Sequence, residues 1–286
     1  MASIAAFRKL RWHCVLTGLA ALACAAAIKP SPTLAEQGWP SQVQAVYRIE
    51  FNGFDIGAFE FSSSVGGGGY SLAGDARLSA LLGAFKWQGV TRASGILGGS
   101  APRPAGYSFD YAGTGKAGSV KMGFTGDSVT SVTSTPAPPV DPATVTVKDI
   151  HLKGVLDPLS AIMAMAKGDK SNPCARKLAI FDGRQRFDLI LSYVRQERIA
   201  EAQPSGQPDI VHVCKVRYQP IAGHKAGAEA QTVSQSSEIA LSLRPIPSAN
   251  LFVPHQIVIP TVVGTVRITA QHVRIQTRHE QIALVH

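Results

Sequence analysis

Cysteine is scarce in this 286-residue chain: of four, Cys14 and Cys24 lie near the N-terminus, and only Cys174 and Cys214 lie beyond it. No Cys-x-x-Cys occurs and the histidines stand at irregular spacings, so no pattern suited to zinc or dithiol redox chemistry is present. Neither a metal nor a cofactor is expected. Charged residues make up 16% of the chain, and Lys and Arg never gather into a block, which excludes the basic arm of a nucleic-acid binder. Aromatics, at 7%, are too few for the two girdles of a transmembrane barrel. The apolar run at residues 14–27 is shorter than the ~20 residues a spanning helix needs. Hydrolase signatures are missing as well. No serine sits in a Gly-x-Ser-x-Gly elbow, and the glycines at 66–69 are not followed by the Lys-Ser/Thr helix start of a phosphate loop. No catalytic residue is named and no enzymatic activity is expected.

What is present begins with an export signal. Arg8, Lys9 and Arg11 precede the apolar run, and Thr33-Leu34-Ala35 ends on the small residue a signal peptidase prefers. Residues 1–35 read as a cleaved leader and the protein as periplasmic. Cys24 has Ala21, not leucine, three residues upstream, so lipid attachment there is not expected. The leader holds Arg8, Lys9, Arg11 and Lys29 and no acidic residue; its removal lowers the formal net charge from +9 to +5. That is ordinary surface charge. In an oxidising compartment the two remaining cysteines read as one disulfide, Cys174 to Cys214. Closing such a loop is worth about 4 kcal/mol in the chain-entropy model.

Residues 36–286 read as one mainly β domain, long enough to bury a substantial core. Alternation sets in over residues 43–51 and again over 54–65, with Asn52-Gly53 between them, a pair suited to the positive φ of a two-residue hairpin turn. Alternating stretches follow at 70–76, 87–96, 107–111, 119–124 and 128–134. Residues 135–142 are proline-rich and mark a crossover within the domain, since proline cannot donate inside a central strand. One short α-helix is expected over about 158–167. Asp157 can cap it, Pro158 opens it, Gly168 stops it, and Leu159, Ile162, Met163 and Ala166 form its buried stripe. Strands resume at 176–181 and 185–196, turned by Asp182-Gly183, and then at 209–218, 237–243, 251–259 and 264–277.

Candidate binding residues fall in two places. Leu78, Leu81, Leu82 and Phe85 sit at i, i+3, i+4 and i+7, the spacing of a short amphipathic helix or of an apolar loop entering the strand at Trp87. Leu81, Leu82, Phe85 and Trp87 could line a ligand cleft or plug one end of the sheet. Asp182 and Asp188 flank Arg184 and Arg186 on a hairpin, where cross-strand ion pairing accounts for them. The two guanidiniums could instead clasp a phosphate or carboxylate. His151, His212 and His255 lie on strands or their edges and read as hydrogen-bonded or exposed.

Tyr47-Arg48-Ile49 with Gly57, then Leu156-Asp157-Pro158-Leu159-Ser160-Ala161, Pro173-Cys174 and Phe181-Asp182-Gly183-Arg184-x-Arg186-Phe187-Asp188 occur in order. In these motifs the chain resembles the exported bacterial proteins grouped as domain of unknown function 3108. The resemblance implies a single curled antiparallel sheet, a β-spiral or partly open barrel. It also implies kinship in shape with envelope-integrity β-spiral proteins and with lipoprotein-carrier half-barrels, and it brings no catalytic residues. The leading expectation is a non-enzymatic periplasmic protein of the cell envelope. It would bind a lipid, a lipoprotein or another apolar or amphipathic envelope component, or a partner protein, in the cleft of the sheet. The alternative is a scaffolding role at the outer membrane or peptidoglycan without a small ligand.

Overall fold

The computed structural model describes residues 38–98, 101–139, 141–167, 171–225 and 239–286. The expected leader, Cys24, the Gly168 stop and the first residues of the strand expected at 237–243 lie outside them. No helix of the described residues is long and apolar enough to cross a membrane.

The described residues form a single antiparallel sheet of fourteen strands. The first seven are β1 (Gln42–Phe51), β2 (Phe54–Gly66), β3 (Gly69–Ala80), β4 (Phe85–Gly98), β5 (Ala101–Gly113), β6 (Lys116–Thr125) and β7 (Ser128–Thr135). The helix α1 (Pro158–Ala166) follows. The rest are β8 (Arg176–Phe181), β9 (Arg186–Arg198), β10 (Ile210–Ala222), β11 (Ile239–Ile246), β12 (Leu251–Thr261), β13 (Gly264–Gln276) and β14 (Gln281–Val285). Each half is a meander, and β1 pairs with β13 to join them, so the order runs from β7 through β1 and β13 to β8. Asn52 and Gly53 turn β1 into β2 at φ of 50° and 85°, as their types require.

The sheet curls but does not close by strand pairing. Strands as far apart in the order as β5, β8 and β12 all touch α1, so the sheet wraps around the helix. The segment before α1 stitches the two free ends together. The Gly154 amide donates to the Asp127 carbonyl at the β6–β7 turn, while Leu156 exchanges hydrogen bonds with Ala179 and Phe181 along the open edge of β8. Leu156 thereby covers part of an edge that would otherwise expose unpaired backbone groups.

The helix begins as its sequence dictates. The Asp157 carboxylate accepts the Ser160 amide at 2.9 Å, and the hydroxyls of Ser160 and Tyr70 meet at 2.8 Å, pinning the first turn to β3. The Arg176 guanidinium donates to the carbonyls of Ala164 and Lys167 and so satisfies the other end. The buried face is wider than the expected stripe: Ser160, Ala161 and Met165 are buried alongside Leu159 and Met163. A helix inside a curl meets sheet on more than one side. Cys174 and Cys214 form a disulfide with Cα atoms 5.4 Å apart, tying the lead into β8 to β10 two strands away.

Some elements differ from expectation. No amphipathic α-helix forms around Leu81; a single 3-10 turn spans Leu81–Gly83. β3 and β4 stay paired as far as Ala80 and Phe85, and Leu81 and Leu82 make the hairpin tip at φ of 54° and 55°. Ladder hydrogen bonds outweigh a helical spacing interrupted by Gly83. Alternation on β13 slips at Gln271, a bulge opposite Val46 and Tyr47, so Ala270, Val273 and Ile275 are all buried. β14 is not legible from the alternation pattern; it is short, pairs with β13, and bridges to Gln203 through Val285.

Candidate functional site

A cavity of about 380 Å³ lies between the C-terminal half of α1 and the inward faces of β1, β2, β12 and β13. Its wall is made by period-two side chains, Tyr47, Phe59, Phe61 and Ile268 among them, with Met163 and Met165 from the helix. Space exists because small residues stand at Ala45, Ala76 and Ala166, where larger side chains would fill it. The volume falls within the ~300–1,000 Å³ of small-molecule sites. Tyr47 is the single ionisable side chain on the wall. Its hydroxyl donates to the Pro254 carbonyl at 3.1 Å, and burial pushes its pKa up, so it stays neutral. Such a wall can hold apolar matter and cannot move a proton near neutral pH. At the cavity's edge the Lys167 ammonium lies 5.1 Å from the centre of the Trp39 ring.

A second cavity, of about 420 Å³, lies where the β8–β9 turn comes against β6. Trp87, Phe109 and Tyr111 form one wall, and Asp182, Arg184, Ser119, Ser134 and Thr135 supply polar atoms. Gly183 permits this approach, since a Cβ there would collide with Val120.

The candidates from the sequence therefore part company. Trp87 and Arg184 meet in the second cavity. Leu81, Leu82 and Phe85 are exposed at or beside the β3–β4 tip and line neither cavity, so they do not plug the sheet either. Arg186 is bound up in structure: its guanidinium reaches the Asp188 carboxylate and the Phe187 carbonyl, each at 2.6 Å. Lys177 meets the same carboxylate across the β8–β9 pair at 2.8 Å. Burial raises the Asp188 pKa, but the hydrogen bonds and charges of Lys177 and Arg186 outweigh it and hold the carboxyl below its ordinary value. Asp182 makes no such pair; it accepts the amides of Arg184 and Gln185 at 2.8 and 2.7 Å and shapes the turn.

The model of the family described as "Protein of unknown function (DUF3108)" matches residues 46–271. The chain belongs to the DUF3108 family. Among solved structures, this DUF3108 chain is similar to a β-barrel-like protein of domain of unknown function DUF1849 from Brucella abortus, with a TM-score of 0.51 and 9% identity over 83% of this chain and 98% of that one. At that identity the likeness is one of fold. No curated protein matches the chain.

A buried polar cluster in this DUF3108 chain escaped the sequence reading. Arg244 on β11 is fully buried and pairs with Glu201 at 2.5 Å, and its Nε donates to the Pro208 carbonyl at 3.1 Å. His255 and His286 lie ring to ring close by, with centroids 4.5 Å apart. Burial, then the neighbouring His255 and Arg244, push the His286 pKa down to about 4. The signal available is a lone charged residue, Arg244, in the mostly apolar stretch Leu241–Ile246.

Proposed function

We propose that this is an exported, periplasmic protein that binds an apolar or amphipathic component of the cell envelope, without catalysis, in the cavity between α1 and the curled sheet. The observation that carries the reading is the cavity wall: about 380 Å³ bounded by aromatic, aliphatic and methionine side chains with no charged group. Methionines suit a ligand of variable shape, because the side chain is unbranched and its sulfur polarisable. Export is supported by the basic, apolar and small-residue order of the N-terminus and by a disulfide that an oxidising compartment sustains.

Native mass spectrometry of the purified protein, alone and with dodecanoate or a lysophospholipid, tests the binding. One amphiphile per chain is expected, with loss of it in Ala166→Phe, which fills the cavity. A chain that stays ligand-free with both probes would sink the reading and leave the scaffolding role. That role predicts co-sedimentation with peptidoglycan, lost on charge reversal at the exposed Arg184. Cell fractionation checks the compartment: recovery in the cytoplasm would overturn export.

A further inference from the structure

On the inward face of β4 and β5, two of the three large rings stand opposite glycine. Trp87 pairs in register with Gly113, and Tyr111 pairs with Gly89 on one side and Gly118 on the other. A Cβ on Gly113 would come 2.8 Å from Trp87, one on Gly118 2.6 Å from the Tyr111 hydroxyl, and one on Gly89 2.5 Å from Trp87 and 2.9 Å from Phe109. Side chains on a sheet ordinarily stand roughly perpendicular to it. Here the missing Cβ atoms let the Trp87 and Tyr111 rings lie over the glycine backbone, at the edge of the cavity that all three rings line. Phe109 and Tyr111 stack at 5.5 Å and 27°, and Trp87 continues the row 6.3 Å from Phe109. The result is an aromatic platform along one wall.

The opposite side is polar. Among the described residues the Arg184 guanidinium makes no hydrogen bond or ion pair, because Asp182 is occupied with the turn amides. The Ser134 hydroxyl, on the face that Phe109 and Val120 share, also borders this cavity and makes no side-chain hydrogen bond among the described residues. A sugar ring has the matching chemistry: one face is a layer of C–H groups that lies on aromatic rings, and its edge is hydroxyl. A guanidinium fork fits a carboxylate in two-point contact. A purely aliphatic ligand would use neither the Ser134 hydroxyl nor the charge.

We propose that this cavity is a second binding site, for an acidic saccharide, with a pyranose ring on the Trp87–Phe109–Tyr111 platform and its carboxylate on Arg184. The site is independent of the amphiphile cavity, since the two share no lining residue.

Cellobiouronic acid and its neutral counterpart cellobiose, titrated into the purified protein by calorimetry and saturation-transfer NMR, form the test. The acidic sugar is expected to bind at least tenfold more tightly. Arg184→Gln, on an exposed turn, should bring it down to the level of cellobiose. Tyr111→Ala should weaken both sugars, with thermal unfolding of each variant followed to confirm the fold. Failure of both disaccharides to bind at millimolar concentration, or an undiminished acidic preference in Arg184→Gln, would overturn the proposal. Dodecanoate uptake measured on the same samples reads the other cavity separately, and it should be unchanged in Arg184→Gln.

Discussion

Strands β2–β6 carry Gly74, Gly89, Gly95, Gly113 and Gly118 against aromatic rings or their immediate neighbours, whereas β8–β14 contain one strand glycine, Gly264, and pack Leu178, Ile180, Leu191, Val216, Leu241 and Leu243 around a disulfide. The first half trades side chains for flat rings and keeps open space beside them. The second half is a conventional aliphatic core with covalent and ionic fastening, including Arg244–Glu201 and the Asp188 cluster. The fastening thus gathers at β8–β11, while open space borders β1–β7 and reaches β12 and β13, and α1 packs against both halves.

The sharpest way to separate the halves is to cut the fastening. Cys174→Ser and Cys214→Ser should each lower stability by about 4 kcal/mol in urea titrations under oxidising conditions, and the double variant by no more than either. Hydrogen exchange should quicken in β8–β10 and hold steady in β4–β6; an equal response in both would dissolve the comparison. Arg244→Ala comes next, at about 3 kcal/mol, because it strands Glu201 in a largely buried place. Replacing both by leucine should regain most of that loss in thermal melts.

In the glycine-rich half, Gly89→Val should cost about 2 kcal/mol by overpacking against Trp87 and Phe109. Its near-ultraviolet dichroism should change with it, and an unaltered aromatic signal would show that the rings do not depend on the glycine. The smallest effect is titration of the histidine pair. The folded His286 pKa of about 4 lies below an unfolded value of about 6.5, so the unfolded chain binds more protons between them. Stability is therefore complete above about 6.5, falls as pH drops toward about 4, and levels off below. Partial exposure of the ring limits the loss to about 1 kcal/mol. Ser205 and Arg244 outweigh the burial that would raise the Glu201 pKa and hold it below its ordinary value, and His255, depressed by burial and then Arg244, adds to the same slope as His286. His286→Gln should flatten the profile measured between pH 7 and 4.

Much of this was legible along the chain. Asn52-Gly53, Asp157-Pro158 and Asp182-Gly183 announced two hairpins and a helix start, because turn and cap chemistry involves neighbours in sequence. The cysteine pair was legible by elimination. The ligand space was not. Leu81, Leu82 and Phe85 looked like cleft lining, yet they sit at or beside a hairpin tip, since apolar composition does not say which way a tip points. The same apolar quality at Phe59, Phe61 and Met165 marks core or cavity equally.

The sequence by itself determined a β-rich chain with one capped helix and one disulfide, since period-two patterning, φ preferences and cysteine number are local or countable. Only the tertiary structure decided where space remains. The apolar cavity beside α1 gathers β1, β2, α1, β12 and β13, and the aromatic row depends on which glycine falls opposite which ring. Register between strands and curvature of a whole sheet set both, and neither is written in any one segment.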